Sequence, residues 1–295
     1  MLKIGYFGDG EWAHNALEKL LNDDTISIEF ITVRYDSKDP VLLDMAHKYE
    51  IPVEISGNIN SKEFVDRMKN YGIDLFVSMS FNQIFKEEMI NLPKYKTINC
   101  HAGKLPFYRG RNILNWALIN DEKEFGITVH FMDKGIDTGD IILQDVYPIT
   151  DEDDYGTLLE KAYVECAEIL YRAIKNIQIG DVKTIKQDSI DKVGLYCGQR
   201  FPGDEFINWE WESRRIFNFV RALTRPGVGA SSYLNEKLIK IYKVEMIEGA
   251  HSYINTPGQI LMKEKDVLYV KTGDTMLRII DYEYDGKIMV GMRFK

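Results

Sequence analysis

The stretch KIGYFGDGEWAHNALEKLLNDDTISIEFITVRY, residues 3–35, decides the fold class. Lys3 to Phe7 and Glu29 to Tyr35 are short runs rich in aromatic and β-branched residues, and they read as strands. Between them Ala13, Ala16, Leu17, Leu20 and Leu21 recur at three- and four-residue spacing, the apolar stripe of a helix. A strand, a helix and a strand in that order begin a βαβ series. It continues with a helix over Val41 to Tyr49, a strand at Val53 to Ile55 and a helix after the capping candidate Ser61. Strands at Leu75 to Met79 and Thr97 to Cys100 follow. The alternation predicts an α/β domain with a Rossmann-like, mostly parallel sheet, whose ligands collect at the carboxyl ends of the strands.

From Phe125 the pattern changes. GITVHFM and GDIILQDVYPI are strand-like runs flanking a short polar segment from Asp133 to Gly139, and they read as a hairpin-like pair. A helix over Tyr155 to Asn176 is opened by the acidic cluster Asp151 to Asp154, which reads as a cap rather than a metal site. After Gly198 the segment FPGDEFINWEWESRRIFNFVRALTRPGVG carries a helix over Ser213 to Leu223, stopped by Pro226 and Gly227. Short β-like runs punctuated by Gly and Pro reach the C-terminus, so a smaller, mainly β domain over 199–295 is expected after a first domain over 1–198.

Composition narrows the function classes. Apolar residues make up 45% and charged residues 28% of the 295, which suits a folded globular chain. No run approaches the ~18 apolar residues of a membrane span, and the start MLKIGYFGDGEW lacks a signal-peptide pattern, so a cytoplasmic protein without a membrane partner is expected. The three cysteines, Cys100, Cys166 and Cys197, are irregularly spaced and support neither a disulfide framework nor a metal site. A formal net charge of -9 argues against a nucleic-acid partner, because phosphate neutralisation supplies most non-specific nucleic-acid affinity.

The chemistry-bearing residues lie in two segments. In TINCHAGKLPFYRGRN, Asn99 and His101 are two apart at the end of an apolar strand, so an extended backbone aims both to one side and Cys100 to the other. An amide N–H and an imidazole aimed at one spot can stabilise an oxyanion and accept a proton. In MDKGIDTGDIIL, Gly135 and Gly139 bracket Asp137 at a turn, which presents that carboxylate into a cleft.

With these residues in view, NCHAGKLPFYRGRNILNWALIN and GITVHFMDKGIDTGDIILQ resemble the folate-dependent formyltransferase family. Its pattern is Asn-x-His, an LPxYRG loop and an aspartate at an Asp-x-Gly turn. ALTRPGVGASSY looks like the start of that family's small OB-like C-terminal domain, so the resemblance covers nearly the whole chain. It implies transfer of the formyl group of N10-formyltetrahydrofolate to a primary amine. Asn99 and His101 would hold the formyl oxygen, and Asp137 would orient the imidazole and support its protonated form. By family position the cofactor would lie among Ser80, Phe81, Gln83, Ile84, Leu105, Pro106, Arg109 and Ile136.

Members of the family formylate methionyl-tRNA, glycinamide ribonucleotide or amino sugars carried on nucleoside diphosphates. Three features favour the sugar branch: a compact Ile31 to Val53 segment without a basic insertion, the start GYFGDGEWAHNAL, and the acidic chain. The implied partner is an amino-deoxy sugar linked to UDP or dTDP, with the amine at C4, used for surface glycans such as lipopolysaccharide. Arg200, Arg221 and Arg225, with Trp209 nearby, would serve the diphosphate and base, while Gly8 and Gly10, beside Trp12, would admit the sugar-nucleotide closely. Methionyl-tRNA formyltransferase is the alternative, a folate-binding or hydrolytic relative is a third reading, and the aromatic C-terminal domain offers a homodimer surface.

Overall fold

The computed structural model describes residues 1–295, which form two compact units. The first comprises Met1–Gly110, Phe125–Tyr147 and Glu160–Cys197; the second comprises Arg111–Glu124, Pro148–Leu159 and Gly198–Lys295. The division is less simple than a single cut at residue 198.

The first part of the chain runs β1 (Leu2–Gly8), α1 (Gly10–Leu21), β2 (Ile26–Thr32), α2 (Pro40–Lys48), β3 (Val53–Glu54), α3 (Lys62–Lys69), β4 (Leu75–Met79), α4 (Glu87–Ile90) and β5 (Thr97–His101). There follow β6 (Arg109–Gly110), α5 (Ile113–Ile119), β7 (Glu124–Phe131), β8 (Ile141–Pro148), α6 (Tyr155–Ile179) and β9 (Tyr196–Cys197). Seven strands form one sheet in the order β3-β2-β1-β4-β5-β7-β8. The first five are parallel, and β7 joins antiparallel to β5. The predicted Rossmann-like, mostly parallel sheet is therefore present, with the β7–β8 pair on one edge.

Packing explains why the βαβ pattern holds. Helix α1 buries Ala13, Ala16, Leu17 and Leu20 of the predicted stripe, while Leu21 at its end is half-buried. On β1, Ile4, Tyr6 and Phe7 are fully buried, and Phe7 packs edge-on against Phe30, Phe64, Phe76 and Phe85. Each such burial contributes roughly 1.5–3 kcal/mol. Ser61 caps α3 through the Phe64 N–H at 3.2 Å, and Asp154 accepts the Thr157 N–H at 3.0 Å at the start of α6, both as the sequence suggested.

Strand β2 lies at Ile26–Thr32 rather than Glu29 to Tyr35. Asp23 accepts the Thr25 N–H and ends the preceding turn early, while the Arg34 side chain pairs with Asp9 and Asp36 where the ladder has stopped. Periodicity could not register a strand edge set by a turn on one side and an ion pair on the other.

The second unit contains α5, α7 (Ser213–Leu223) and a five-stranded sheet of β10 (Ala230–Leu234), β11 (Lys237–Met246), β12 (Ile260–Glu264), β13 (Val267–Lys271) and β14 (Met276–Glu283). Its order is β10-β11-β14-β13-β12, and every neighbouring pair is antiparallel. Ile216, Phe219, Val220, Ile239, Ile241, Leu268 and Ile279 fill its core. The mainly β C-terminal part is thus present, and α5, which the sequence reading passed over, belongs to this unit.

Candidate active site

Strand register builds the site. Ser78 of β4 pairs with Asn99 of β5, and Asn99 pairs with His130 of β7, so the three stand in one row across the sheet near its carboxyl ends. His101 lies two residues beyond Asn99 and opposite Thr128. Cys100 points to the other side, its Sγ 3.6 Å from the Cys166 carbonyl, as the alternation required.

Asp137 comes to this row from the β7–β8 turn. Its Oδ2 is 3.6 Å from His101 Nδ1, and its Oδ1 is 3.5 Å from His130 Nε2. The Gly110 N–H donates to Oδ2 at 2.9 Å. Burial opposes charge on this carboxyl, but the positive charge that His101 and His130 carry when protonated, together with the Gly110 N–H, outweighs it and holds the group well below the ordinary carboxylate range. It is an anion at neutral pH.

Backbone carbonyls define the imidazole protons. His101 Nε2 lies 2.7 Å from the Tyr108 carbonyl oxygen, which only accepts, so Nε2 carries a hydrogen and Nδ1 is left facing Asp137. His130 Nδ1 lies 2.8 Å from the Phe131 carbonyl oxygen and likewise carries a hydrogen, leaving Nε2 to meet Asn99 Nδ2 at 3.4 Å. That contact turns the Asn99 amide nitrogen into the site. His130 is a site residue the sequence reading missed; its signal was one imidazole inside the apolar run GITVHF, on the strand that register sets beside Asn99.

Glycines make the close approaches possible. A Cβ at Gly103 would lie 2.5 Å from both His101 Nε2 and the Tyr108 oxygen, and one at Gly139 would lie 1.8 Å from the Phe131 oxygen. Asp137 itself is left-handed, with φ of 53°. The two-glycine bracket therefore serves a tight, strained turn that presents the carboxylate.

The remaining candidates divide. Ser80, exposed with φ of 59°, follows β4, and Ile84 and Ile136 leave 66% and 49% of their surfaces open. Phe81 packs on Phe7 at 5.5 Å, and Leu105 and Pro106 are buried. Gln83 spends its amide on the 56–59 loop, accepting the Ile59 N–H and donating to the Ser56 carbonyl. Arg109 is a correction: it is buried, and its guanidinium donates to Gln187, the Val193 carbonyl and the Tyr196 hydroxyl, so it ties down its own unit instead of offering a free cation.

Gly8 is closed in by Ala13 and Tyr6, whereas Gly10 has open space where a side chain would be, and Trp12 is half-buried edge-on to Tyr163. In the second unit, Trp209 is a core residue, 5% exposed, stacked on Phe294 and bonded to Ser232. Arg221 is buried and donates to the Thr150 and Asp153 carbonyls, and Arg225 pairs with Asp281 and Glu283 over the Tyr242 ring. Arg200 donates to the Asp204 carbonyl. Burial corrects the reading of Trp209 and Arg221 as part of an open diphosphate and base site, whereas Arg225 stays exposed in surface ion pairs: a spacing of basic and aromatic residues does not reveal which of them the fold consumes internally.

No helix is long and apolar enough to cross a membrane, and no group of three or more His, Cys, Asp or Glu residues is placed to hold a metal ion.

Comparison with known proteins gives the family of the chain. Residues 3–174 match the formyl transferase family model, and residues 201–294 match the model of the formyl transferase C-terminal domain. A methionyl-tRNA formyltransferase from Caldanaerobacter subterraneus subsp. tengcongensis is 32% identical over 99% of this chain and 95% of its own. One from Staphylococcus aureus is 31% identical over 97% and 93%. In fold, the chain is similar to an N-formyltransferase from Helicobacter canadensis solved with folinic acid and dTDP-3-aminofucose, with a TM-score of 0.71, 24% identity, and 96% and 100% of the two chains covered. A sugar 3N-formyltransferase solved with dTDP and 5-N-formyl-THF gives a TM-score of 0.68 at 23% identity over 95% and 97%. From the matched family models and relatives spanning nearly its whole length, this chain belongs to the formyl transferase family of folate-dependent one-carbon transferases.

Proposed function

We propose that this protein transfers the formyl group of N10-formyltetrahydrofolate to the amine of an amino-deoxy sugar linked to a nucleoside diphosphate, with Asn99, His101 and Asp137 at the reacting centre. The observation that carries the chemistry is one ionised carboxylate, Asp137, facing the His101 Nδ1 that the Tyr108 carbonyl leaves as the proton-accepting nitrogen. N10-formyltetrahydrofolate supplies an activated formyl carbon. The chemistry of the exposed groups fits its flat heterocycle: Ile84 and Ile136 are apolar and open, and Ser80 is an exposed hydroxyl directly after β4. Residues Ser80, Phe81, Ile84 and Ile136 would hold it; Leu105 and Pro106 are buried and offer it no open surface.

The side chains divide the work. Asn99 directs an N–H at the formyl oxygen as that oxygen gains charge. The amine would replace N10 on the formyl carbon: His101 takes the amine's proton at Nδ1 as the new C–N bond forms and gives it to N10 as the C–N10 bond breaks, while Asp137 offsets the imidazolium charge without itself being protonated.

The β2–α2 turn supports the sugar-nucleotide acceptor. It is confined to residues 33–39, its Arg34 is spent on Asp9 and Asp36, and Asp39 fills the helix starts. Asp39 accepts the Val41 and Leu42 N–H groups on one oxygen and meets Gly10 N and His14 Nε2 on the other. A turn that is short, carries no net charge and spends its arginine internally gives little purchase to an RNA backbone. The 32% identity to proteins named methionyl-tRNA formyltransferase favours a second reading, with initiator tRNA as acceptor.

Incubation with N10-formyltetrahydrofolate and either dTDP- and UDP-linked amino sugars or methionyl-tRNA, followed by mass analysis, separates the two. A formylated sugar nucleotide is expected; formyl-methionyl-tRNA as the sole product overturns the acceptor, and no formylated amine of either kind overturns the transferase reading itself.

A further inference from the structure

Gln187 is 3% exposed, and all the hydrogen-bonding capacity of its amide is used. Its Oε1 accepts from Arg109 Nε at 3.0 Å and from Arg109 Nη2 at 2.7 Å. Its Nε2 donates to the Asp137 carbonyl and to the Gly139 carbonyl, both at 2.8 Å. One side chain thus joins the loop that carries Arg109 and Gly110 to the turn that carries Asp137. Those are the two segments linked a second time by the Gly110 N–H on the Asp137 carboxylate.

The surrounding chain holds Gln187 in place. Ile185 exchanges two hydrogen bonds with Ile141 of β8, each 2.9 Å. Leu195 donates to the Pro106 carbonyl, and its own carbonyl accepts the Arg109 N–H. Tyr196 and Cys197 then pair with Arg109 and Gly110. The segment from Ile185 to Cys197 is a strap anchored at both ends, with Gln187 aimed between the two active-site loops.

We propose that Gln187 is a positioning residue that sets the Asp137 carboxylate at its distance from His101. It acts through the backbone, since the left-handed φ of 53° at Asp137 leaves that carbonyl without a strand or helix partner, and Gln187 supplies one. The proposal rests on the role given to Asp137 above.

Its test separates the two ends of the amide. Gln187→Glu keeps the size and the Arg109 contact but places an oxygen where both carbonyls need a donor. Amide hydrogen exchange at Gly110 reads the Asp137 contact directly in the free protein. In Gln187→Glu, Gly110 is expected to exchange about tenfold faster or more, while the amides of the central strands β1 and β4 keep their rates. In the same variant kcat with N10-formyltetrahydrofolate and a dTDP-linked amino sugar should fall by about 10- to 100-fold, with KM little changed. In an Asp137→Asn background the second substitution should cost nothing further.

Unchanged Gly110 exchange in Gln187→Glu, or costs that add fully in the double variant, overturns the proposal. Faster exchange with wild-type kcat supports the placement and overturns instead the role of Asp137. If Gln187→Glu does not fold, Gln187→Met compared with Arg109→Met distinguishes the same two ends: only the former should release Gly110 exchange if the proposal is right.

Discussion

Oδ2 of Asp137 stands 3.6 Å from Nδ1 of His101, just beyond hydrogen-bonding distance, while the same oxygen is held at 2.9 Å by the Gly110 N–H. The carboxylate is therefore placed by the backbone and not by the imidazole it faces. It attracts a proton on Nδ1 through charge without competing for it as a base, since its own affinity for protons is depressed.

Removing that charge gives a direct expectation. Asp137→Asn should leave the fold and KM nearly intact and lower kcat by about 100-fold or more, equivalent to roughly 3 kcal/mol of lost transition-state stabilisation. Steady-state kinetics at pH 7 checks it, and a loss below about threefold would sink the assignment.

Asn99→Ala should remove the N–H aimed at the formyl oxygen and reduce kcat by about 100- to 1,000-fold. Because His130 Nε2 orients the Asn99 amide at 3.4 Å, His130→Ala should also slow turnover, by a smaller factor of about ten. A His130→Ala rate at the wild-type level would show that the amide orients itself.

Gly139→Ala puts a Cβ 1.8 Å from the Phe131 oxygen, which is backbone and cannot step aside. The turn must shift, carrying Asp137 with it. Turnover should drop by at least about 100-fold, and the effect should match Asp137→Asn in leaving Asn99-side contacts intact. A crystal structure of the variant with the turn unmoved refutes this account.

Asp39 couples stability to pH. Burial works against its charge, but the Leu42 N–H, His14 and the Gly10 N–H more than compensate, so its carboxyl titrates below the ordinary value. A depressed folded pKa contributes stability that is present above the unfolded carboxyl value near ~4 and lost as pH falls through the lower folded one. Asp39→Ala should cost about 1–2 kcal/mol at pH 7, as loss of a cap does, and the gap in melting temperature from wild type should close in acid. A gap that persists undiminished to pH ~2 argues against an ionic cap.

Trp209→Ala tests the reassignment of that residue from ligand contact to core. It should destabilise the second unit by about 3–5 kcal/mol, while KM for a sugar nucleotide, measured where the variant is folded, stays within about twofold. A selective rise in KM without loss of stability would return Trp209 to the ligand site.

The sequence by itself determined the layers, and its resemblance to the formyltransferase family named the candidate reacting residues. Local patterns carry that information: the α1 stripe, the β-rich runs, and Asn99 and His101 on one face of an extended strand are all set by periods of 3.6 and 2 residues. The Asp137 turn was legible for the same reason, since two glycines report a backbone constraint without reference to anything distant. What only the tertiary structure decided is which polar side chains are spent on other parts of the chain. Arg109 and Gln187 are 78 residues apart, and Arg221 reaches back 71 residues to the Thr150 carbonyl. His130 became a site residue only when β7 paired with β5, because register between strands is a long-range property. Burial makes an unpaired polar group costly, so the fold consumes such groups wherever a partner falls within reach. That is why Asn99, His101 and Asp137 could be named from the sequence, while Gln187 and His130 beside them could not.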